Sequence, residues 1–251
     1  MTMPANSKIT IAASVWARSD DEAARLRAAL TVLSRFGLPV VLADNGSTPD
    51  FVSAVSALPN ITVLPKPDTT THSLTEQMQR AFRNARESKP DWILYSEPDK
   101  QWFFENRLAQ FVEHAERFPD ADVVIPCRNR ESFETFPAYQ RKMETTFNKI
   151  AAEWLGNSAD VLYGPLLLRP DLTRYLDDLS ENVGWGWRPY LLAIAKRTKR
   201  YPVRWIDAFP CPPDQRGEDN EPDRLHRMRQ LAQNMTGLAL GFSMPLDTAK
   251  D

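Results

Sequence analysis

Residues 40–48 read Val-Val-Leu-Ala-Asp-Asn-Gly-Ser-Thr, an apolar run followed by an acid, an amide and a turn-forming glycine. A short apolar run bounded by such residues predicts a buried strand. Upstream, residues 20–36 carry apolar side chains at helical spacing and end at Gly37, and residues 9–15 form another apolar run. The order strand, helix, strand predicts the beginning of an α/β fold.

The alternation continues to residue 126 and loosens beyond it. Further elements are predicted as helices at 50–58, 73–88 and 108–118 and as strands at 61–64, 92–96 and 121–126. This alternation favours a mainly parallel, Rossmann-like sheet flanked by helices. After residue 126, the sequence pattern predicts helices at 139–155, 172–179, 189–198 and 223–240. It also predicts strands at 160–168 and 203–206 and a Pro-rich loop at 209–222.

We expect a single domain over residues 1–251. Residues 9–126 form its first half, residues 127–207 its second half, and residues 208–251 a flexible loop with a C-terminal helix. The chain carries 31 Lys and Arg residues against 33 Asp and Glu residues, so it has no broad basic field to hold nucleic acid. With two cysteines and no signal-peptide or membrane-span pattern, a cytoplasmic protein is expected, and a homodimer is left open.

Glycine is scarce, with 9 residues in the chain. The segment between the first strand and the first helix, residues 13–19, contains none of them. Neither a dinucleotide-binding fingerprint nor a phosphate-binding P-loop can form there, because both need glycine at that turn. A bound diphosphate would therefore be held by a metal ion and carboxylates.

Polar side chains follow the second, fourth and fifth predicted strands. Ligands of parallel α/β sheets bind at the carboxyl ends of the strands. Asp44 there can hydrogen-bond a nucleoside or form an Asx turn. Glu97 and Asp99 can ligate Mg²⁺ or Mn²⁺, or flank a solvated type I turn with proline. Arg128 can bind the diphosphate of a donor or an acid group of an acceptor.

The turn at residues 43–48 and the later segment at residues 91–99 resemble the nucleotide-sugar half of a GT-A glycosyltransferase of family 2. The resemblance implies a nucleoside-diphosphate sugar donor, GDP- or UDP-linked, and a divalent cation, Mn²⁺ or Mg²⁺. It also implies that Asp44 contacts the nucleobase and that Asp99, with Glu97, handles the metal and the diphosphate. Glu97 departs from the usual aspartate, which could shift it toward the ribose or the donor sugar.

Residues 163–169 and 181–187 are similar to the acceptor side of these enzymes, and of the retaining group that makes mannosylglycerate or glucosyl-3-phosphoglycerate. Aromatic rings beside glycines suit a sugar-binding floor, although tryptophan is more often a core residue. The residues predicted to bind the acceptor are Gly164, Trp185, Gly186 and Trp187. The acceptor itself, a small molecule or a glycan, stays unidentified.

The catalytic base is unassigned. Arg188 and Pro189 stand where many family-2 enzymes carry an acidic pair, which fits a retaining mechanism or an inactive relative. The candidate acids that could substitute are Asp160, Glu181 and Asp207. The resemblance to the retaining relatives implies that His226 completes the metal site. The alternative is a surface residue, because His226 lies on a predicted helix with many charged residues. We expect a metal-dependent hexosyltransferase, with an inactive nucleotide- or glycan-binding protein as the alternative.

Overall fold

The computed structural model describes residues 8–68, 73–156, 160–180, 182–217 and 219–246. The strands are β1 (Ile9–Val15), β2 (Val40–Asp44), β3 (Ile61–Leu64), β4 (Trp92–Tyr95), β5 (Val123–Arg128), β6 (Leu166–Leu168) and β7 (Pro202–Asp207). The helices are α1 (Asp20–Ser34), α2 (Pro49–Ser56), α3 (Leu74–Glu87), α4 (Gln101–Asn106), α5 (Leu108–Glu116), α6 (Arg130–Glu134), α7 (Ala138–Leu155), α8 (Trp187–Arg197) and α9 (Glu221–Ser243). Short 3-10 helices cover Leu172–Leu176, Gly184–Gly186 and Pro213–Gln215.

The mainly parallel α/β pattern is confirmed, with two kinds of difference. The strand predicted at 160–168 is reduced to β6, because Gly164 adopts a φ of 129° and Pro165 has no N–H for a ladder. Helices α4 and α6 were not expected from the pattern, since each is one to two turns long. Helix α4 buries Phe103 and Phe104, two aromatic residues that by themselves favour a strand.

Two compact units make up the chain, and the first consists of residues 1–119 and 165–182. Its strands follow the order β3-β2-β1-β4-β6. Strand β1 pairs in parallel with β2 on one side and with β4 on the other, whereas β6 runs antiparallel to β4. Strands β2 and β3 thus lie on one side of β1, whereas β4 lies on the other side. The strand order therefore reverses between β1 and β4, and parallel α/β sheets bind ligands at the carboxyl ends of the strands at such a point.

The second unit consists of residues 120–164 and 183–251. Strands β5 and β7 pair in parallel, from Val123 opposite Pro202 to Arg128 opposite Asp207. The start of the segment predicted as a flexible loop is packed in this unit. Phe209 is fully buried, because its ring packs against those of Trp205 and Tyr163. Its backbone N–H donates to Ser132 Oγ over 3.0 Å.

Helix α9 packs against α8 and against residues 184–186 through glycine contacts. A Cβ atom on Gly237 would lie 1.9 Å from the carbonyl oxygen of Gly186, and one on Gly241 would lie 2.6 Å from Cβ of Ala193. The Gln233 side chain accepts a hydrogen bond of 3.2 Å from the N–H of Trp185. Close helix approach thus holds the segment predicted to bind the acceptor.

A buried ion cluster joins β5 to α7 and to the chain around residue 160. The Arg128 side chain, 1% exposed, donates from Nε to Asp160 Oδ2 over 2.5 Å and from Nη2 to Asp160 Oδ1 over 2.8 Å. Glu144 pairs with the same guanidinium, and the rings of Phe133, Phe136 and Tyr163 surround it. The cluster therefore holds one cation between two carboxylates, with a net formal charge of minus one.

The pKa of Asp160 is set by opposing effects. Burial raises it, but the charge and hydrogen bonds of Arg128, with a hydrogen bond from Asn148, leave the pKa of Asp160 below its ordinary value. Burial also raises the pKa of the neighbouring Cys127 thiol to about 12, so that thiol stays protonated. Asp160 is accordingly a charged partner of Arg128.

We predict that Gly237→Ala destabilises the protein by about 2 kcal/mol, because the added methyl group meets the backbone of Gly186. In a helix, alanine is more favourable than glycine by about 1 kcal/mol, so a loss of stability in Gly237→Ala would show that the clash with Gly186 outweighs this gain. Chemical denaturation measures the effect. Gly217→Ala is the matched control, since a Cβ there has no atom within 4 Å. Equal stability of the two variants would contradict this packing.

We predict that Asp160→Asn lowers stability at neutral pH by about 2 kcal/mol, because the buried Arg128 guanidinium loses its charge-assisted hydrogen bonds to this carboxylate. Since the folded pKa of Asp160 is lowered, its contribution is complete above the ordinary value of 3.8 and is lost as the pH falls below it. Denaturation at several pH values should show the difference from wild type shrinking in acid. Glu134→Gln, which breaks the exposed pair with Arg130, should change little.

Candidate functional site

In the first unit, the carboxyl end of β2 forms a turn around Asp44. The Asp44 carboxylate is buried, and it accepts hydrogen bonds from the N–H groups of Gly46 (2.9 Å) and Ser47 (3.1 Å). Gly46 has a φ of 98°, a conformation that favours glycine. The N–H of Ala17, which follows β1, donates to Ser47 Oγ over 2.8 Å. The Asx turn is thus present, and it ties together the ends of β1 and β2.

Glu97 and Asp99 lie in the turn that follows β4. Glu97 is half-buried and Asp99 is exposed. The N–H of Lys100 donates to the Glu97 carbonyl over 3.2 Å, and that of Gln101 to the Asp99 carbonyl over 2.9 Å. The proline turn is therefore present. It places the exposed carboxylate of Asp99 at the carboxyl end of β4, beside the point where the strand order reverses.

The donor set of this turn fits a hard cation. Carboxylate oxygens are the ligands that Mg²⁺ and Mn²⁺ prefer, and Mg²⁺ is commonly held by one or two carboxylates with substrate phosphates and water. Among the described residues, no three His, Cys, Asp or Glu side chains form a group that could hold a metal ion. Glu97 and Asp99 would thus form a site that the phosphates of a nucleotide complete.

Two cationic side chains near this edge were missed by the sequence reasoning. Lys66 follows β3, and a Cβ on Gly46 would lie 3.4 Å from its Cδ atom, so Lys66 passes over the Asp44 turn. Arg18 follows β1, pairs with Glu22 over 2.6 Å and lies 5.6 Å from the ring centroid of the exposed Trp16. Their position just after strand ends is the signal that could have identified them.

In the second unit, the residues predicted to bind the acceptor differ in exposure. Trp187 is fully buried, so its ring is a core residue with no open face for a sugar. Trp185 is half-buried, and the Arg188 guanidinium carbon lies 5.3 Å from its ring centroid. Gly164 and Gly186 are both buried, and Gly186 makes the close backbone approach to helix α9 described above. Stacking of Trp185 on a sugar stays a prediction.

The candidate catalytic acids have different environments. Asp160 is held by Arg128, and a carboxylate with a lowered pKa is a poor base, so we assign both residues to the buried cluster and not to substrate. Asp207 ends β7 and accepts a 2.7 Å hydrogen bond from the N–H of Ala208. Glu181 lies outside the described residues. His226 is an exposed residue of α9, in the second unit, and its metal role stays a prediction.

Within the described residues, no helix combines the length and apolar character needed to cross a membrane.

The family model of glycosyl transferase family 2 matches residues 21–173, which is more than half of the chain. No curated protein matches the sequence. The structure is similar to that of mannosyl-3-phosphoglycerate synthase from Rubrobacter xylanophilus, with a TM-score of 0.63 and 15% identity over 93% of this chain and 74% of that chain.

Two structures of glucosyl-3-phosphoglycerate synthase from Mycobacterium tuberculosis are also similar. One, in complex with Mn²⁺, UDP and phosphoglyceric acid, has a TM-score of 0.57 and 12% identity over 97% of this chain and 81% of that chain. The other, in complex with Mg²⁺ and UDP, has a TM-score of 0.58 and 13% identity over 97% and 82%. At such identities these likenesses show a shared fold. Together with the family match, they confirm the GT-A fold, and the chain belongs to glycosyl transferase family 2.

Proposed function

We propose that the protein transfers a sugar from a nucleoside-diphosphate sugar to a small acceptor, and that Glu97 and Asp99 hold the divalent cation, Mn²⁺ or Mg²⁺, that this transfer needs. The observation that carries the proposal is the acidic turn after β4, beside the point where the strand order changes direction. The bound ion offsets the negative charge of the departing diphosphate. Structural neighbours bound to UDP with Mn²⁺ or Mg²⁺ support this assignment.

The turn around Asp44 is proposed to orient the nucleobase. Its two bonds from Gly46 and Ser47 hold the carboxylate in one direction, and a carboxylate has about four acceptor positions, which leaves capacity for a base donor. Lys66 passes over the same turn and would add positive charge beside the phosphates. The bases of UDP and GDP both carry an N–H that can donate a hydrogen bond to a carboxylate. UDP-linked and GDP-linked sugars are therefore both to be tested as sugar donors.

The acceptor is proposed to carry a carboxylate or a phosphate. Arg188 is 5% exposed and sits at the second position of α8, where backbone N–H groups also favour an anion. Its guanidinium lies beside the half-buried Trp185, whose ring can cover one face of a small molecule. The phosphoglyceric acid bound in a neighbour's structure is a molecule of this chemical class, and it is the first acceptor to test.

We also propose that the transfer retains the configuration of the sugar. Arg188 and Pro189 replace the acidic pair of many inverting relatives, and Asp160 is committed to Arg128. NMR of the anomeric proton, in the product of the first active donor and acceptor pair, distinguishes retention from inversion. Donor binding without hydrolysis or transfer across the tested pairs would instead support a nucleotide-binding relative.

We predict that UDP or GDP with Mn²⁺ raises the melting temperature by about 5 °C or more when the nucleotide is near 100 times its Kd, and that EDTA removes most of this shift. Asp99→Asn should abolish the Mn²⁺-dependent part, because a charged oxygen ligand is lost. Glu87→Gln, an exposed acid at the opposite edge of the sheet before β4, is the matched control. An unchanged shift in Asp99→Asn would contradict the metal assignment.

We predict that Arg188→Lys raises the KM for 3-phosphoglycerate at least about tenfold while the KM for the nucleotide sugar stays within about twofold, because lysine loses the bidentate contact. Initial rates with each substrate varied in turn, while the other is saturating, measure both constants. Lys196→Ala, an exposed cation at the other end of α8, should leave both constants unchanged. Equal losses for donor and acceptor would indicate a structural role for Arg188.

A further inference from the structure

Helix α9 has two faces of different character. One face is buried and contains Asn234, Gly237, Leu238 and Gly241. On another face, apolar side chains recur at alternating intervals of three and four residues; we call this set the apolar stripe: Leu225, Met228, Ala232, Met235, Ala239 and Phe242. This interval is that of the a and d positions of a coiled coil.

The apolar stripe is open to solvent over most of its length. Leu225 is 45% exposed, Met228 is 50% exposed, and Ala232 and Ala239 are also exposed. At its C-terminal end, the ring of Phe242 lies 5.1 Å from that of Trp154 on α7, which is itself 57% exposed. Contiguous exposed apolar surface of this kind marks an interaction site.

The apolar stripe is complementary to itself when a second helix α9 runs antiparallel. Aligning Leu225 with Phe242 of the second copy also aligns Met228 with Ala239, and Ala232 with Met235, of that copy. Each alanine then faces a methionine, so large and small side chains alternate across the contact as a packed core requires. The aromatic pair of Phe242 and Trp154 receives the leucine.

The charges of α9 also favour the antiparallel direction. Arg224, Arg227 and Arg229 lie in the N-terminal half, where they outnumber Glu221 and Asp223, whereas residues 230–243 carry no charged side chain. A parallel pair would place the arginines of one copy beside those of the other, and like charges at that distance repel. The antiparallel pair places them beside an uncharged segment.

We infer that α9 is the contact surface of a symmetric homodimer, in which the apolar stripes of two copies pack antiparallel around a two-fold axis. Such an isologous contact closes at two copies. The stripe spans 18 residues, or about 27 Å of helix, which is small for an interface, so we expect a dimer with a Kd in the micromolar range. The inference is independent of the proposed function.

Sedimentation velocity of the full chain between about 1 and 100 μM tests the inference. The wild type should pass from monomer to dimer over this range. Met228→Glu and Ala239→Lys should each weaken the dimer at least about 100-fold, because each places two unpaired charges in an apolar contact. The double variant should dimerise again, since Glu at position 228 then faces Lys at position 239 of the second copy.

Ala28→Glu, at an exposed alanine of α1, is the matched control and should dimerise like the wild type. Circular dichroism verifies that each variant is folded. Wild type that stays monomeric at 100 μM, a dimer that Met228→Glu leaves intact, or a double variant that remains monomeric would each overturn the inference. Monomeric wild type that floats with vesicles of anionic phospholipid would assign the stripe to a membrane surface instead.

Discussion

Parallel pairing of β1 with both β2 and β4 is the constraint on which the first unit depends. Because the three strands run in the same direction, the residues at or just after their carboxyl ends, Ala17, Asp44 and Glu97, lie at one edge of the sheet. The edge is tightened by the bond from Ala17 to Ser47 and by the carboxylate of Asp44. A polar site forms there without a glycine-rich loop, since the turns are held by side chains.

The second unit depends on two other kinds of contact, a buried ion cluster and a close approach of glycines. Arg128 is buried between Asp160 and Glu144, and removal of Arg128 would leave two carboxylates in the interior without a cation. In the same unit, Gly186 and Gly237 approach so closely that no side chain fits between them. The segment around Trp185, which we propose as part of the acceptor site, is thereby fixed in place, and such preorganisation would lower the entropy cost of binding.

Much of the fold could be predicted from the sequence, because buried parallel strands are continuous apolar runs and helices have a different period. The acidic turn at Glu97 and Asp99 and the turn at Asp44 were predicted for the same reason, since both directly follow such a strand. The role of Arg128 could not be predicted, because Glu144 and Asp160 are distant from it in sequence. Burial of Trp187 was equally inaccessible, as a tryptophan beside glycines suits both a core and a sugar-binding surface.

By itself the sequence determined the α/β class, the acids at the strand ends and the absence of a phosphate-binding loop, because these depend on local patterns of a few neighbouring residues. Only the tertiary structure decided which charged residues lie at the surface and which neutralise one another in the interior. It also decided which glycines serve turns and which serve helix contact, and which side of α9 stays open. Such outcomes depend on groups that are far apart along the chain and meet only when it folds.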